Sequence, residues 1–142
     1  MQDGVEVLVD TNIINYILKG SKELEKFQSK IVGKQLVMSF ASLPELFLWV
    51  EGEPSKEQRE KINDFINDCR VIYSNIQIAM TVAKIAYEYE KRRKKSEFRH
   101  SRRWHDFWIA ATAIENKLPL LTNNIKDFKW IREKFGLNLL TS

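Results

Sequence analysis

Short apolar runs alternate with amphipathic stretches along this chain. Residues 5–9 (VEVLV) and 36–39 (LVMS) are short, β-rich and mostly apolar, and residues 70–73, 119–122 and 138–141 resemble them, so five strands are expected. Helical patterns fill the intervals, at 13–19, 24–32, 43–50, 56–68, 76 to about 94, 105–116 and 128–135. In the fourth of these, Ile62, Phe65, Ile66 and Cys69 recur at i, i+3, i+4, i+7, the spacing of one buried helical face. Phe107, Ala110, Ala111 and Ile114 repeat that spacing in the sixth. Strands separated by helices imply crossover connections and a mainly parallel five-stranded sheet covered on both faces, a three-layer α/β arrangement. The long loops expected are 51–58 (EGEPSKEQ) and a basic run near residue 95, and neither reads as a linker. Residues 1–142 are therefore expected to form one domain without internal repeats.

Size and cysteine content narrow the chemistry. A chain of 142 residues buries a real core without disulfides or a structural metal. The lone Cys69 has no internal partner, and His100 and His105 with one cysteine do not complete a four-ligand zinc site. Any metal would have to be held by oxygen. No apolar run approaches the roughly 20 residues of a membrane span, and the first ten residues lack the basic and apolar segments of a secretion signal. A soluble, cytoplasmic setting is the expectation.

The net charge of +4 is unevenly spread. Lys91 to Arg103 (KRRKKSEFRHSRR) holds eight Lys/Arg and one acid, leaving 15 basic against 18 acidic residues elsewhere. Such a patch suits a polyanion such as nucleic acid, through phosphate contacts and counterion release, and Arg92, Arg93, Arg99, Arg102 and Arg103 are its candidate phosphate-binding side chains. A solvated helix end is the plain alternative.

The acids point to a site. In open α/β sheets, ligands bind beyond the carboxyl ends of the strands where strand order reverses. Asp10 follows the first strand, and Glu45 follows the second within SFASLPELF. Asp106 begins a helix that must end near the strand at residue 119, so it too falls toward the carboxyl edge. Asn124 and Asp127 follow that fourth strand in NNIKDF. Three carboxylates and an amide on one rim suit a hard cation, Mg²⁺ or Mn²⁺, which also offsets their mutual repulsion. Such ions activate water and neutralise charge on a phosphate during transfer.

Each residue has a structural alternative. Ser42 and Glu45 fit a capping box, Asp10 an Asx turn or helix cap, Asp106 a first-turn partner of the helix dipole, and Asn124 with Asp127 a turn and helix start. His105 has no i, i+4 histidine partner and reads as structural or RNA-facing. Trp104 and Trp108 suit core packing or a subunit interface better than base stacking.

In combination, VLVDTNIINYIL, SFASLPEL and HDFWIAATAIENKLPLLTNNIKDF resemble the successive motifs of PIN-domain nucleases, particularly the VapC-type toxins of toxin–antitoxin pairs, over nearly the whole chain. The resemblance implies an α/β/α sandwich and a Mg²⁺- or Mn²⁺-dependent endoribonuclease. It assigns the metal-site acids to Asp10, Glu45 and Asp106, supporting polar roles to Asn12 and Thr122, and to Asn124 a position where the family often has a fourth acid. An asparagine there removes one negative charge, leaving one-metal chemistry or help from Asp127. The resemblance also implies a homodimer and an antitoxin whose tail blocks the acidic rim. Hydrolysis of RNA by in-line attack is the leading expectation; a PIN-like RNA-binding or scaffold subunit without cleavage is the alternative, favoured by Asn124. A flap-type DNA nuclease is disfavoured because the chain lacks room for clamp and arch elements.

Overall fold

A computed structural model describes residues 5–52, 55–92 and 101–142, with side chains from residue 104 onward in the last segment. Among these residues five strands form one sheet: β1 Glu6–Val9, β2 Gln35–Ser39, β3 Arg70–Ile72, β4 Leu120–Leu121 and β5 Leu139–Leu140. Their order is β3-β2-β1-β4-β5, and every pairing is parallel. The chain thus leaves central β1 for one side and later returns to its other side, making the carboxyl end of β1 the switch point. Among the described residues, seven α-helices connect the strands: α1 Thr11–Lys19, α2 Gln28–Ile31, α3 Leu43–Gly52, α4 Lys56–Asp68, α5 Ile76–Arg92, α6 Ser101–Glu115 and α7 Ile125–Phe135.

Side-chain alternation along the strands divides the core in two. Val7, Val9, Met38 and Leu121 pack on one face with Ile13 and Ile14 of α1, Leu46 of α3 and Ile62 of α4. Leu8, Val37, Ile72 and Leu120 point to the other face, against Ile78, Val82 and Ile85 of α5, Phe107 and Ala111 of α6, and Phe128 and Ile131 of α7. The result is the expected α/β/α sandwich. Tyr89, Phe107 and Trp130 join the three helices of the second layer, with ring centroids 5.3 to 6.3 Å apart in tilted and edge-on contacts.

Several local expectations change. The single helix expected at 24–32 is a 3₁₀ turn, Lys22–Phe27, followed by the four-residue α2. Ser21 caps that turn and so sets its start ahead of the apolar periodicity. The expected loop 51–58 is largely helical, since α3 runs to Gly52 and α4 begins at Lys56, capped by the Ser55 hydroxyl on the Gln58 amide at 3.0 Å. Of the α4 face read from periodicity, Ile62 is fully buried, while Phe65, Ile66 and Cys69 pack at its margin. In α6, burial extends beyond the four-residue face to Ile109, Ala113 and Thr112, as expected of a helix lying between the sheet and two neighbours.

Candidate active site

Asp10 ends β1 and opens α1. Its extended backbone (φ −78°, ψ 172°) leaves the strand, and its Oδ1 accepts from the Ile13 amide at 3.0 Å as the helix N-cap. The capping alternative read from sequence is therefore fulfilled. It leaves Oδ2 to a second partner, since the Thr122 hydroxyl, just past β4, donates to it. Backbone pairing fixes that approach: the Asp10 amide donates to Leu121 O at 3.1 Å and the Thr122 amide to Leu140 O at 3.1 Å. Thr122 in turn accepts from the Asn124 amide at 2.9 Å. Asn12 contributes through its backbone amide near the Asp10 carboxylate, while its residue is exposed.

Asp10 is buried, and burial raises its pKa above the ordinary carboxylate value. The hydrogen bonds from Thr122, Ile13 and Asn12 oppose that rise, as does the nearby His105, but desolvation outweighs them. The negative form of this carboxyl is thus under-compensated by the protein alone.

Glu45 lies in the first turn of α3 and is exposed. Its Oε1 stands 3.3 Å from His105 Nε2 on α6. The same nitrogen is 3.0 Å from the Thr11 hydroxyl, which lies 2.9 Å from the buried Ser42 hydroxyl. The capping-box reading is thus corrected: the Ser42 hydroxyl faces Thr11, Glu45 faces His105, and the side-chain cap at this corner is Ser39 on the Ala41 amide at 3.1 Å. Asp106 follows His105 and is partly buried. Its first-turn reading is also corrected, because α6 begins at Ser101, earlier than the apolar spacing suggested.

Asn124 and Asp127 lie at the start of α7, where the Asn124 amide nitrogen Nδ2 donates to Asp127 Oδ2 at 2.7 Å. The turn reading of these two residues is compatible with that bond. Of the arginines, Arg92 lies over the Trp130 ring, 5.1 Å from its centroid, and 3.8 Å from Glu88. Arg93 and Arg99 lie outside the described residues. Arg102 and Arg103 belong to the first turn of α6, their side chains lying outside the description. Trp108 donates from Nε1 to Ser74 Oγ at 2.6 Å, whereas Trp104 is exposed at the edge of Phe107. Cys69 has its thiol pushed up to about 11 by burial, which keeps it protonated and a poor nucleophile.

The structure thus brings Asp10, Thr122 and Asn124 into one hydrogen-bonded run, and joins Glu45 to the α1 start through His105 and Thr11. Sequence reasoning gave Thr11 no part here, read Ser42 as a cap and read His105 as structural or RNA-facing. Their signal was adjacency, since each is next to or one turn from a candidate acid, but single hydroxyls and a lone histidine have many structural uses. As placed, no group of three or more His, Cys, Asp or Glu side chains converges tightly enough to hold an ion among the described residues. The donor chemistry nevertheless fits a hard divalent cation: the rim offers carboxylates, and the buried Asp10 is short of positive charge. The half-exposed Glu45 side chain has space to adjust.

The PIN domain family model matches residues 7–134, and the chain belongs to that family. Ribonuclease VapC1 of Rickettsia felis is 30% identical over 139 residues, covering 95% of both chains. Ribonuclease VapC1 of Haemophilus influenzae strain R2866 is 29% identical over 129 residues, covering 89% of this chain and 92% of the relative. Among solved structures, VapBC-1 from nontypeable Haemophilus influenzae superposes with a TM-score of 0.77 at 25% identity, covering 96% of this chain and 98% of that one. VapBC2 from Rickettsia felis, bound to a promoter DNA fragment, gives 0.74 at 24% identity with the same coverage, a likeness of fold.

Proposed function

We propose that this chain is a metal-dependent endoribonuclease that hydrolyses RNA phosphodiester bonds as the toxin of a type II toxin–antitoxin pair. The observation carrying this reading is Asp10, a buried carboxylate under-compensated by the protein, at the switch point of a parallel sheet with Glu45 and His105–Asp106 brought to the same corner. Membership of the PIN family and the ribonuclease relatives of nearly equal length support it.

Asp10, Glu45 and Asp106 would hold Mg²⁺ or Mn²⁺, with Asn124 offering an amide oxygen. When bound, such an ion supplies charge neutralisation at the phosphate and acidifies a water. The chain does the positioning. Thr122 and the α1 amides fix the Asp10 carboxylate, so little reorganisation is needed at the rim when substrate arrives. Glu45, exposed at the rim, orients the attacking water, and the basic run from Lys91 to Arg103 draws in the phosphate backbone. Asp127 holds the Asn124 amide in place.

The proposal extends to the assembly. A cognate antitoxin covering the acidic rim, which the VapBC-1 neighbour supports, completes the reading together with a homodimer and a cytoplasmic location. Among the described residues no helix is long and apolar enough to cross a membrane. A second reading, an RNA-binding or scaffold subunit without cleavage, draws on Asn124, whose amide nitrogen bonds to the carboxylate of Asp127.

The test is cleavage of total cellular RNA by the purified chain and by Asp10→Asn, with Mg²⁺ or Mn²⁺ and with EDTA, read as mapped ends. Discrete metal-dependent cuts absent from the variant are expected. Tight RNA binding without cuts under either ion would favour the scaffold reading.

A further inference from the structure

His105 stands where three acid-bearing segments meet. Its own helix α6 carries Asp106 next to it, its Nε2 reaches Thr11 at the start of α1 beside Asp10, and the same atom reaches Glu45 on α3. Neither a core histidine nor a solvent-facing one needs both contacts. We infer that His105 is a positioning residue whose Nε2–H holds the Glu45 carboxylate on the rim. The inference rests on the ribonuclease reading above and assigns a role within that same site.

Proton bookkeeping selects one arrangement. An ionised carboxylate has no proton to give, so an attractive Nε2–Oε1 contact at 3.3 Å requires the proton on Nε2. The hydrogen bond of Nε2 runs to Thr11 Oγ1 at 3.0 Å, with Glu45 Oε1 alongside in ion-pair range, and Thr11 Oγ1 lies 2.9 Å from Ser42 Oγ. Were Nε2 bare, Thr11 would donate to it, and Glu45 would face a lone pair. Burial makes the anchor firm: Ser42 is 0% and Thr11 6% exposed, so neither hydroxyl is readily recruited by water. The half-exposed Glu45, by contrast, has three rotatable bonds and few other constraints. Holding it costs less when the ring is already fixed.

The experiment compares His105→Gln, His105→Asn and His105→Leu in the full chain, by calorimetric Mn²⁺ titration and by RNA cleavage rate. Glutamine places an amide N–H near the position of Nε2, asparagine is too short to do so, and leucine has no donor. Mn²⁺ affinity and cleavage are expected to fall about tenfold or more in the Asn and Leu variants and to return largely in Gln. In a Glu45→Ala background the three substitutions should add little, because the ring then has no carboxylate to hold. Wild-type affinity in all three variants, equal loss in all three, or undiminished losses without Glu45 would overturn the inference. Because asparagine is polar and small, it keeps the comparison with glutamine open should leucine prevent folding. A wild-type chain that binds no Mn²⁺ and cuts no RNA overturns the ribonuclease reading itself and this inference with it; normal wild-type behaviour with unaffected variants overturns the inference alone.

Discussion

The Thr122 hydroxyl donates to Oδ2 of Asp10 across 112 positions of sequence, from the end of β4 to the end of β1. Parallel pairing of the two strands sets the approach, and the buried threonine gives the carboxylate a partner that water does not displace. The same hydroxyl accepts from the Asn124 amide, so one atom links the central acid to the turn before α7.

Thr122→Val keeps the shape and removes the donor. With Oδ2 left short of a buried partner, the cost is expected to be about 1–3 kcal/mol in denaturant unfolding. The pKa of Asp10 should rise further, because a contact favouring its charged form is lost. Cleavage would then require a higher pH, moving the acidic limb of the rate profile upward. Thr122→Ser, which retains the hydroxyl, should recover most of both effects; a valine variant with an unmoved profile would disconnect Thr122 from the carboxylate.

For Asp10→Asn, the sign follows from burial. The folded carboxyl has a raised pKa, so the acid is favoured protonated in the fold relative to the unfolded chain. Its stabilising effect is fully present below the unfolded pKa and is lost as pH rises through the folded one. A neutral amide does not pay the cost of burying a charge, so in EDTA the variant should melt above the wild type near neutral pH, by about 3 °C per kcal/mol relieved. The difference should shrink as pH falls through that window. Mg²⁺ should raise the melting temperature of the wild type and leave the variant little changed. A variant that melts lower in EDTA near neutral pH would mean that the hydrogen bonds to the ionised carboxylate outweigh its desolvation.

Sheet and site were legible to different depths. VEVLV and LVMS announced β1 and β2 because a strand buried on both faces is apolar at successive positions. Asp10 and Glu45 followed from the rule that parallel strands share a carboxyl edge, and the starts of α1 and α3 meet at one corner. Asp106 was placed by the return of its helix to β4, yet the start of that helix was missed by four residues, because Ser101 to Arg103 are polar and basic and Trp104 alone gives no apolar period. The His105–Thr11 contact joins residues 94 apart, and no local pattern specifies it. Ser42 looked like a cap because capping needs only nearby backbone, whereas its actual partner depends on how α1 meets the corner before α3.

Packing in the second layer gives a prediction independent of chemistry. Phe128 is 1% exposed and fills the face of the sheet under α7, so Phe128→Ala should cost about 3–5 kcal/mol by denaturant midpoint and slope. Phe128→Leu, which leaves a smaller void, should cost less. Equal, small losses would show that this layer collapses readily around the missing ring.

The basic run should separate into a structural and an ionic part. Arg92 rests on Trp130 and near Glu88, so Arg92→Ala is expected to lower stability modestly and leave RNA binding mostly intact. Arg102 and Arg103 lie in the first turn of α6, the helix that carries His105 and Asp106. If each contacts one phosphate of a single strand, Arg102→Ala with Arg103→Ala should reduce the slope of log K against log salt by about 1.4. Fluorescence anisotropy of a labelled RNA over a range of salt concentrations, using Asp10→Asn to prevent cleavage, measures it. A smaller intercept with an unchanged slope would mean that these arginines act through the fold and not by displacing counterions.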